Sequence, residues 1–265
     1  MPTAVTGAMA ELLVWPALIA YGEAAFAYAG ELRGHGRYGR FGIWGVRIGW
    51  LAQTALLVAQ ALSTDGFPWG TWAGALNLLS WLVVSGYLVW GCKPRYRLIG
   101  LLVMPLAAAL LVLAWAGGGT GVHAAEGGGW TLDVHVGLML AAMASFTVAA
   151  AMALLYLFEE RRLKRRDTSV LRLRLPSLEA LDRLASRVAF VGLVLLSAGM
   201  VVGLTRFDTG DLDAAMTVTV LIWLVYAAAL AARHEAGIRG RRLAWSLVAG
   251  FGLVAVVLPL THFAA

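Results

Sequence analysis

The chain has 265 residues, 60% of them hydrophobic and only 14% charged, against roughly a quarter charged in an ordinary soluble domain. That balance excludes a water-soluble enzyme and predicts a protein built inside a lipid bilayer. The net charge of +6 does not point to nucleic acid, because the basic residues lie in short loops between apolar runs and not on one folded basic face.

Eight apolar stretches predict membrane-spanning helices, at roughly 9–30, 42–63, 70–91, 97–116, 133–158, 187–205, 215–232 and 244–263. The expected fold is all-α, a single integral membrane domain over 1–265 with eight transmembrane helices. The N-terminal MPTAVTGAMAELLVW lacks the basic region of a signal peptide, so the first span is expected to be retained. Arg33, Arg37 and Arg40 follow the first span, and Lys93, Arg95 and Arg97 follow the third. A dense cluster from Arg161 to Arg187 follows the fifth, and Arg233, Arg239, Arg241 and Arg242 follow the seventh. With Arg47 near the inner end of the second span, 20 of the 21 basic residues fall on one side and only Arg206 on the other. The positive-inside rule then puts these loops in the cytoplasm and both termini outside.

The outer loops are short and acidic, and the longest, WAGGGTGVHAAEGGGWTLD, is rich in glycine and carries His123. Trp69, Trp72, Trp115 and Trp130 gather at the predicted outer boundary. They form either an aromatic belt at the headgroup level or a platform for a flat aromatic ligand. The stretch Asp133–Arg166 is the centre of the chain: about 25 nearly uncharged residues, His135 near the outer end and arginines at the inner end. The cytoplasmic segment 159–187 holds LPSLEALDRLASR, with leucines at 175, 178, 181 and 184 behind Pro176. It predicts a short amphipathic helix on the inner membrane surface, leading into the sixth span.

Of five histidines, His123, His135 and His262 fall at the outer face and His35 and His234 at the inner face. His135 opens the fifth span and His262 closes the eighth, so two distant helices offer imidazole at one depth. Imidazole ligates iron, copper and zinc, and a pair on facing helices can hold a haem from both sides; each is otherwise a polar residue at a helix end. A zinc site would need His123 and an aspartate as well. Glu23 and Arg47 are costly inside a membrane and are expected to face the bundle interior, as a helix-pairing contact or as a polar point on a ligand route. Gln53, Gln60 and Asn77 are expected to hydrogen-bond between helices. Cys92 is the single cysteine, so thiol chemistry belongs to another protein. No GxSxG, Walker loop or dinucleotide fingerprint occurs, and an autonomous enzyme is not expected.

GFPWGTWAGALNLLSWLVVSGYL at 66–88, HVGLMLAAMASFTVAAAMALLYLFEERRLKR at 135–165, LPSLEALDRLASRVAFVGLVLLSAGMVVG at 175–203 and WLVYAAALAARHEAGIRGRRLAWSLVAGFGLV at 223–254 together resemble the CcsA/ResC/HemX cytochrome c assembly family. The likeness is to its short eight-span, HemX-like (YpjD-type) members. It implies a protein of the bacterial cytoplasmic membrane that handles haem b, with His135 and His262 as axial ligands at the outer face. Trp69, Trp72 and Trp130 would stack near the porphyrin, and Arg47 is a weaker candidate for an inner propionate. The tryptophan-rich segment of the full synthases is reduced here to TRFDTGDLDAAM, where Asp213 alone keeps its distance from Trp223. The implied partners are haem, apocytochrome c, an assembly protein that supplies thiol chemistry, and the lipid bilayer. Two alternatives remain: a HemX-like regulator of haem synthesis working through 159–187, and a small-solute permease using Glu23 and Arg47.

Overall fold

The computed structural model describes residues 12–31, 38–64, 68–91, 94–121, 129–165, 176–204 and 214–263, with the backbone alone for 90–91, 94–95, 214–215, 254 and 256–263. The described residues are helical: α1 (Val14–Glu31), α2 (Tyr38–Ser63), α3 (Trp72–Gly91), a 3₁₀ segment (Pro94–Ile99), α4 (Gly100–Ala116), α5 (Trp130–Lys164), α6 (Leu178–Leu204), α7 (Ala214–Glu235) and α8 (Arg241–Phe263). Among the described residues six helical stretches are long and apolar enough to cross a membrane: Tyr38–Ser63, Trp72–Val89, Tyr96–Ala116, Trp130–Lys164, Leu178–Leu204 and Met216–Glu235. The chain divides into two compact units, Met1–Val136 and Gly137–Ala265, and α5 runs from the first into the second.

In the first unit α1 packs on α2, α2 on α3, α3 on α4 and α4 back on α1. The tightest seam is between α1 and α2, where Gly39, Gly42, Gly45 and Gly49 leave one side of α2 without side chains. A Cβ on Gly45 would lie 3.0 Å from the Ala20 carbonyl, and one on Gly49 2.6 Å from the Tyr21 ring. Small residues let backbones approach where lipid offers no hydrophobic drive. Between α2 and α3, Trp50 and Trp81 stack at 5.7 Å. Each indole donates to a hydroxyl on the other helix, Trp50 to Ser85 Oγ at 2.7 Å and Trp81 to Thr54 Oγ1 at 2.8 Å.

The glycine seam also explains a correction. Glu23 and Arg47 do not face the interior; both are exposed, and the Arg47 guanidinium lies 5.3 Å over the Trp44 ring. The buried side of α2 is occupied by glycines, Gln53, Leu56 and Gln60, and at 100° per residue Arg47 falls away from it. The register that opposes Gly42 to Tyr28 and Gly49 to Tyr21 puts Arg47 level with Glu23.

In the second unit the alanine-rich centre of α5 is buried from Phe146 to Ala153. Phe146 stacks on Tyr226 at 3.8 Å, over Gly192, whose Cβ would meet the Phe146 ring at 2.7 Å. Trp223 donates to Ser197 Oγ at 2.8 Å, joining α7 to α6. The expected surface helix at LPSLEALDRLASR is instead the first turns of α6, with no break before the apolar part. Ser177 receives the Ala180 N–H at its Oγ, 3.3 Å, as an N-cap. Leu181 and Leu184 are buried, and the charge of Asp182 is matched by Arg233 at 2.6 Å. Leu175 lies outside the described residues.

Candidate functional site

Among the tryptophans gathered at the predicted outer boundary, Trp69 is held by one residue that composition does not single out. Gln60, fully buried near the end of α2, uses every hydrogen-bonding position of its amide. Its Oε1 accepts from Trp69 Nε1 at 3.2 Å and from Asn77 Nδ2 at 3.1 Å. Its Nε2 donates to the carbonyls of Gly119 at 3.1 Å and Gly121 at 2.8 Å. An amide has two donors and two acceptor lone pairs, so the set is complete.

The column continues inward. Gln53 Nε2 donates to Asn77 Oδ1 at 3.0 Å, and the Tyr21 hydroxyl donates to Gln53 Oε1 at 2.7 Å. Three helices and two loops of the first unit are thereby tied together.

The turn after α4 fits because it is glycine. Gly118 has φ 79°, in the left-handed region that side chains avoid. Gly119 is pressed so closely on α3 that a Cβ there would lie 2.1 Å from the Ala73 carbonyl carbon. A Cβ on Gly117 would meet the Trp72 ring at 2.4 Å. Trp72 is half exposed, and Trp115 meets Trp15 edge-on at 5.2 Å. Trp69, Trp72, Trp115 and the glycine turn therefore share one end of this unit.

α5 starts behind Gly129, at φ 74°, with Asp133 in its first turn, where the helix dipole favours an acid. His135 lies one turn further, half-buried between the exposed residues Val134, Leu132 and Trp130, the last 75% exposed. His262 falls in the last turn of α8, and its side chain is outside the described residues. So are His123, His35 and Asp213. His234 is exposed at the end of α7. Among the described residues no group of three metal-ligating side chains converges.

At the basic end of the second unit, Asp182 accepts from Arg233 at 2.6 Å and from the Gly240 N–H at 2.8 Å. This fixes the α7–α8 turn. Glu159, which reads in sequence as one more solvated charge, is only 7% exposed, and its Oε2 has no hydrogen-bond partner among the described residues.

Residues 69–263 match the family described as cytochrome c assembly protein. The chain belongs to that family. The matched stretch opens on Trp69 and takes in Trp72, Trp130, His135, Asp213 and His262; Gln60, Glu23 and Arg47 precede it. The inner membrane protein YpjD of Escherichia coli is 31% identical over 134 residues, 49% of either chain, so this chain spans about half the length of that curated relative. The protein HemX of Brevibacillus brevis is 28% identical over 193 residues, 70% of this chain and 71% of its own. The cytochrome c biogenesis protein CcsA of Picosynechococcus is 25% identical over 302 residues, covering 89% of this chain and 87% of its own. The resemblance expected from the segments at 66–88, 135–165, 175–203 and 223–254 is therefore borne out at the level of the family.

Proposed function

We propose that this family member is a haem-handling protein of cytochrome c maturation, lying in the inner membrane with eight spans and both termini outside. The family match that takes in His135, His262 and the tryptophans carries the reading. His135 and His262 serve as axial ligands to haem b, Trp69, Trp72 and Trp130 flank the porphyrin, and Asp213 is assigned to the same haem site. The group suits the residues at hand: His135 is half-buried, and the side chains around it are exposed and largely apolar, which is what an apolar macrocycle held by an imidazole requires.

Haem supplies the redox-active iron and the vinyl groups that become attached to an apocytochrome. The protein's own part is to hold and orient it. Gln60 keeps the Trp69 indole and the glycine turn in place, and the N-terminal dipole of α5 carries Asp133 just ahead of His135. With one cysteine in the chain, thiol reduction falls to an assembly partner. Arg47 lies 13 residues from Gln60, about 20 Å along α2, and so serves an inner propionate site or none.

The regulatory alternative works through 159–187, of which Leu178 onward is already the start of α6. The permease alternative loses its interior charges, since Glu23 and Arg47 are exposed. The test is the visible spectrum of the detergent-purified protein beside the His135→Ala/His262→Ala variant. A Soret band with low-spin bis-imidazole features, lost in the variant, is the expected result. Absence of haem even after haem is added during expression would overturn the assignment.

A further inference from the structure

On α5, Leu154, Phe158 and Arg161 are exposed at spacings of four and three, which lines them up on one face of the helix. The face is apolar at Leu154 and Phe158 and ends in guanidinium groups, Arg161 on the face itself and Arg162 at 4.7 Å from the centre of the Phe158 ring. On α8, Arg242, Trp245, Ala249 and Gly252 are exposed at the same spacings, while Leu243, Ala244 and Leu247 between them are buried. A Cβ on Gly252 would meet nothing within 4 Å, so this face is shallow below its tryptophan. The two faces meet at their basic ends, where the Arg161 guanidinium lies 6.0 Å from the centre of the Trp245 ring.

Among the described residues no carboxylate pairs with Arg161 or Arg242. The neighbouring acids are engaged elsewhere: Glu160 with Lys164 at 2.7 Å and Asp182 with Arg233 at 2.6 Å. Glu159 is buried. Arg241 and Arg242 also open α8, at the helix end whose dipole disfavours cations. An anion placed between Arg161 and Arg242 relieves this repulsion, and an acyl chain attached to it finds Phe158 and Leu154 on one side and the bare strip over Ala249 and Gly252 on the other.

We propose that this is a binding site for an anionic phospholipid of the leaflet at the basic end. Its phosphate sits between Arg161 and Arg242, its glycerol lies beside Trp245, and one chain runs along α5 and α8. Juxtamembrane arginines and interfacial tryptophans are the groups that recognise such lipids. The commitment of Trp245 and of the apolar strips below it favours a lipid over free phosphate.

The experiment is lipid retention by native mass spectrometry on the full-length, delipidated protein, titrated with phosphatidylglycerol, phosphatidylcholine or inorganic phosphate. In the wild type, phosphatidylglycerol is expected to bind about 10-fold more tightly than phosphatidylcholine, in line with the attraction of a few arginines at a membrane surface. Arg161→Gln/Arg242→Gln is expected to abolish that preference, and Arg187→Gln/Arg239→Gln, which removes the same charge elsewhere, to keep it. Equal loss in both variants would reduce the effect to net charge and overturn the site. Displacement of the lipid by millimolar inorganic phosphate would overturn the lipid as its ligand. The wild-type comparison of the two lipids needs no variant, and equal retention of both would refute the proposal if the arginine variant failed to fold.

Discussion

The Trp69 indole donates to Gln60 Oε1 at 3.2 Å, and the same oxygen accepts from Asn77 at 3.1 Å while the Gln60 amide nitrogen holds the carbonyls of Gly119 and Gly121. One fully buried amide thus joins the α2–α3 loop, α3 and the turn after α4. Interhelical hydrogen bonds in membrane proteins average about 0.6 kcal/mol each, so Gln60→Leu should lower stability by about 2 kcal/mol. Thermal unfolding in detergent measures it. In a double-mutant cycle with Asn77→Leu the two losses should fall short of additivity, because the pair shares a bond.

The glycine turn makes a sharper steric prediction. At Gly119 an added Cβ would lie 2.1 Å from the Ala73 carbonyl carbon, and backbone cannot move aside as a side chain can. Gly119→Ala should therefore cost about 1–3 kcal/mol, the range for overpacking. Gly137, inside α5, has nothing within 4 Å of its Cβ position. Gly137→Ala should stabilise by about 0.5–1 kcal/mol through helix propensity. Melting temperatures that move in opposite directions for these two alanines are the expected outcome.

The eight α-helices of the described residues overlap the eight apolar runs because apolar length is a property of the sequence alone. What the runs do not display is the partner of each polar group. Gln60 was readable as an interhelical amide, but its two acceptors on the glycine turn are backbone carbonyls, which no side-chain pattern shows. The charged residues of LPSLEALDRLASR suggested a surface helix; Asp182 is instead neutralised by Arg233, 51 positions away, so the segment can join α6. The rule that intramembrane charges face inward misplaced Glu23 and Arg47, since the seam between α1 and α2 is closed by glycines and has no room for them. His135 was legible as an imidazole at the opening of a helix, because a long apolar run begins beside it.

The ion pair that holds the α7–α8 turn predicts a larger effect. Removing one partner of a buried pair costs about 3–5 kcal/mol, and Asp182→Ala also strips the Gly240 N–H of its acceptor. The Arg233 side chain keeps 19% of its surface exposed, so solvent recovers part of the charge, and the expected loss is about 2–3 kcal/mol. Asp182→Asn retains an acceptor for Gly240 and should lose less. The order alanine, asparagine, wild type in chemical denaturation checks the assignment, and equal losses would show that Gly240 contributes nothing.

Trp69 and Arg47 separate the two levels of the first unit. If haem sits at the outer tryptophans, Trp69→Leu removes both a stacking surface and the bond to Gln60, and haem content per protein should fall severalfold. Arg47 stands about 20 Å down α2 from Gln60 on an exposed face, beyond reach of a propionate at the outer end. Arg47→Gln should therefore leave the outer haem within about twofold of wild type, a tolerance smaller than the loss of one charge-assisted hydrogen bond would produce. The pyridine haemochrome assay on both purified variants measures this directly. A severalfold loss in Arg47→Gln with Trp69→Leu unaffected would move the haem from the outer tryptophans to the inner level of the bundle.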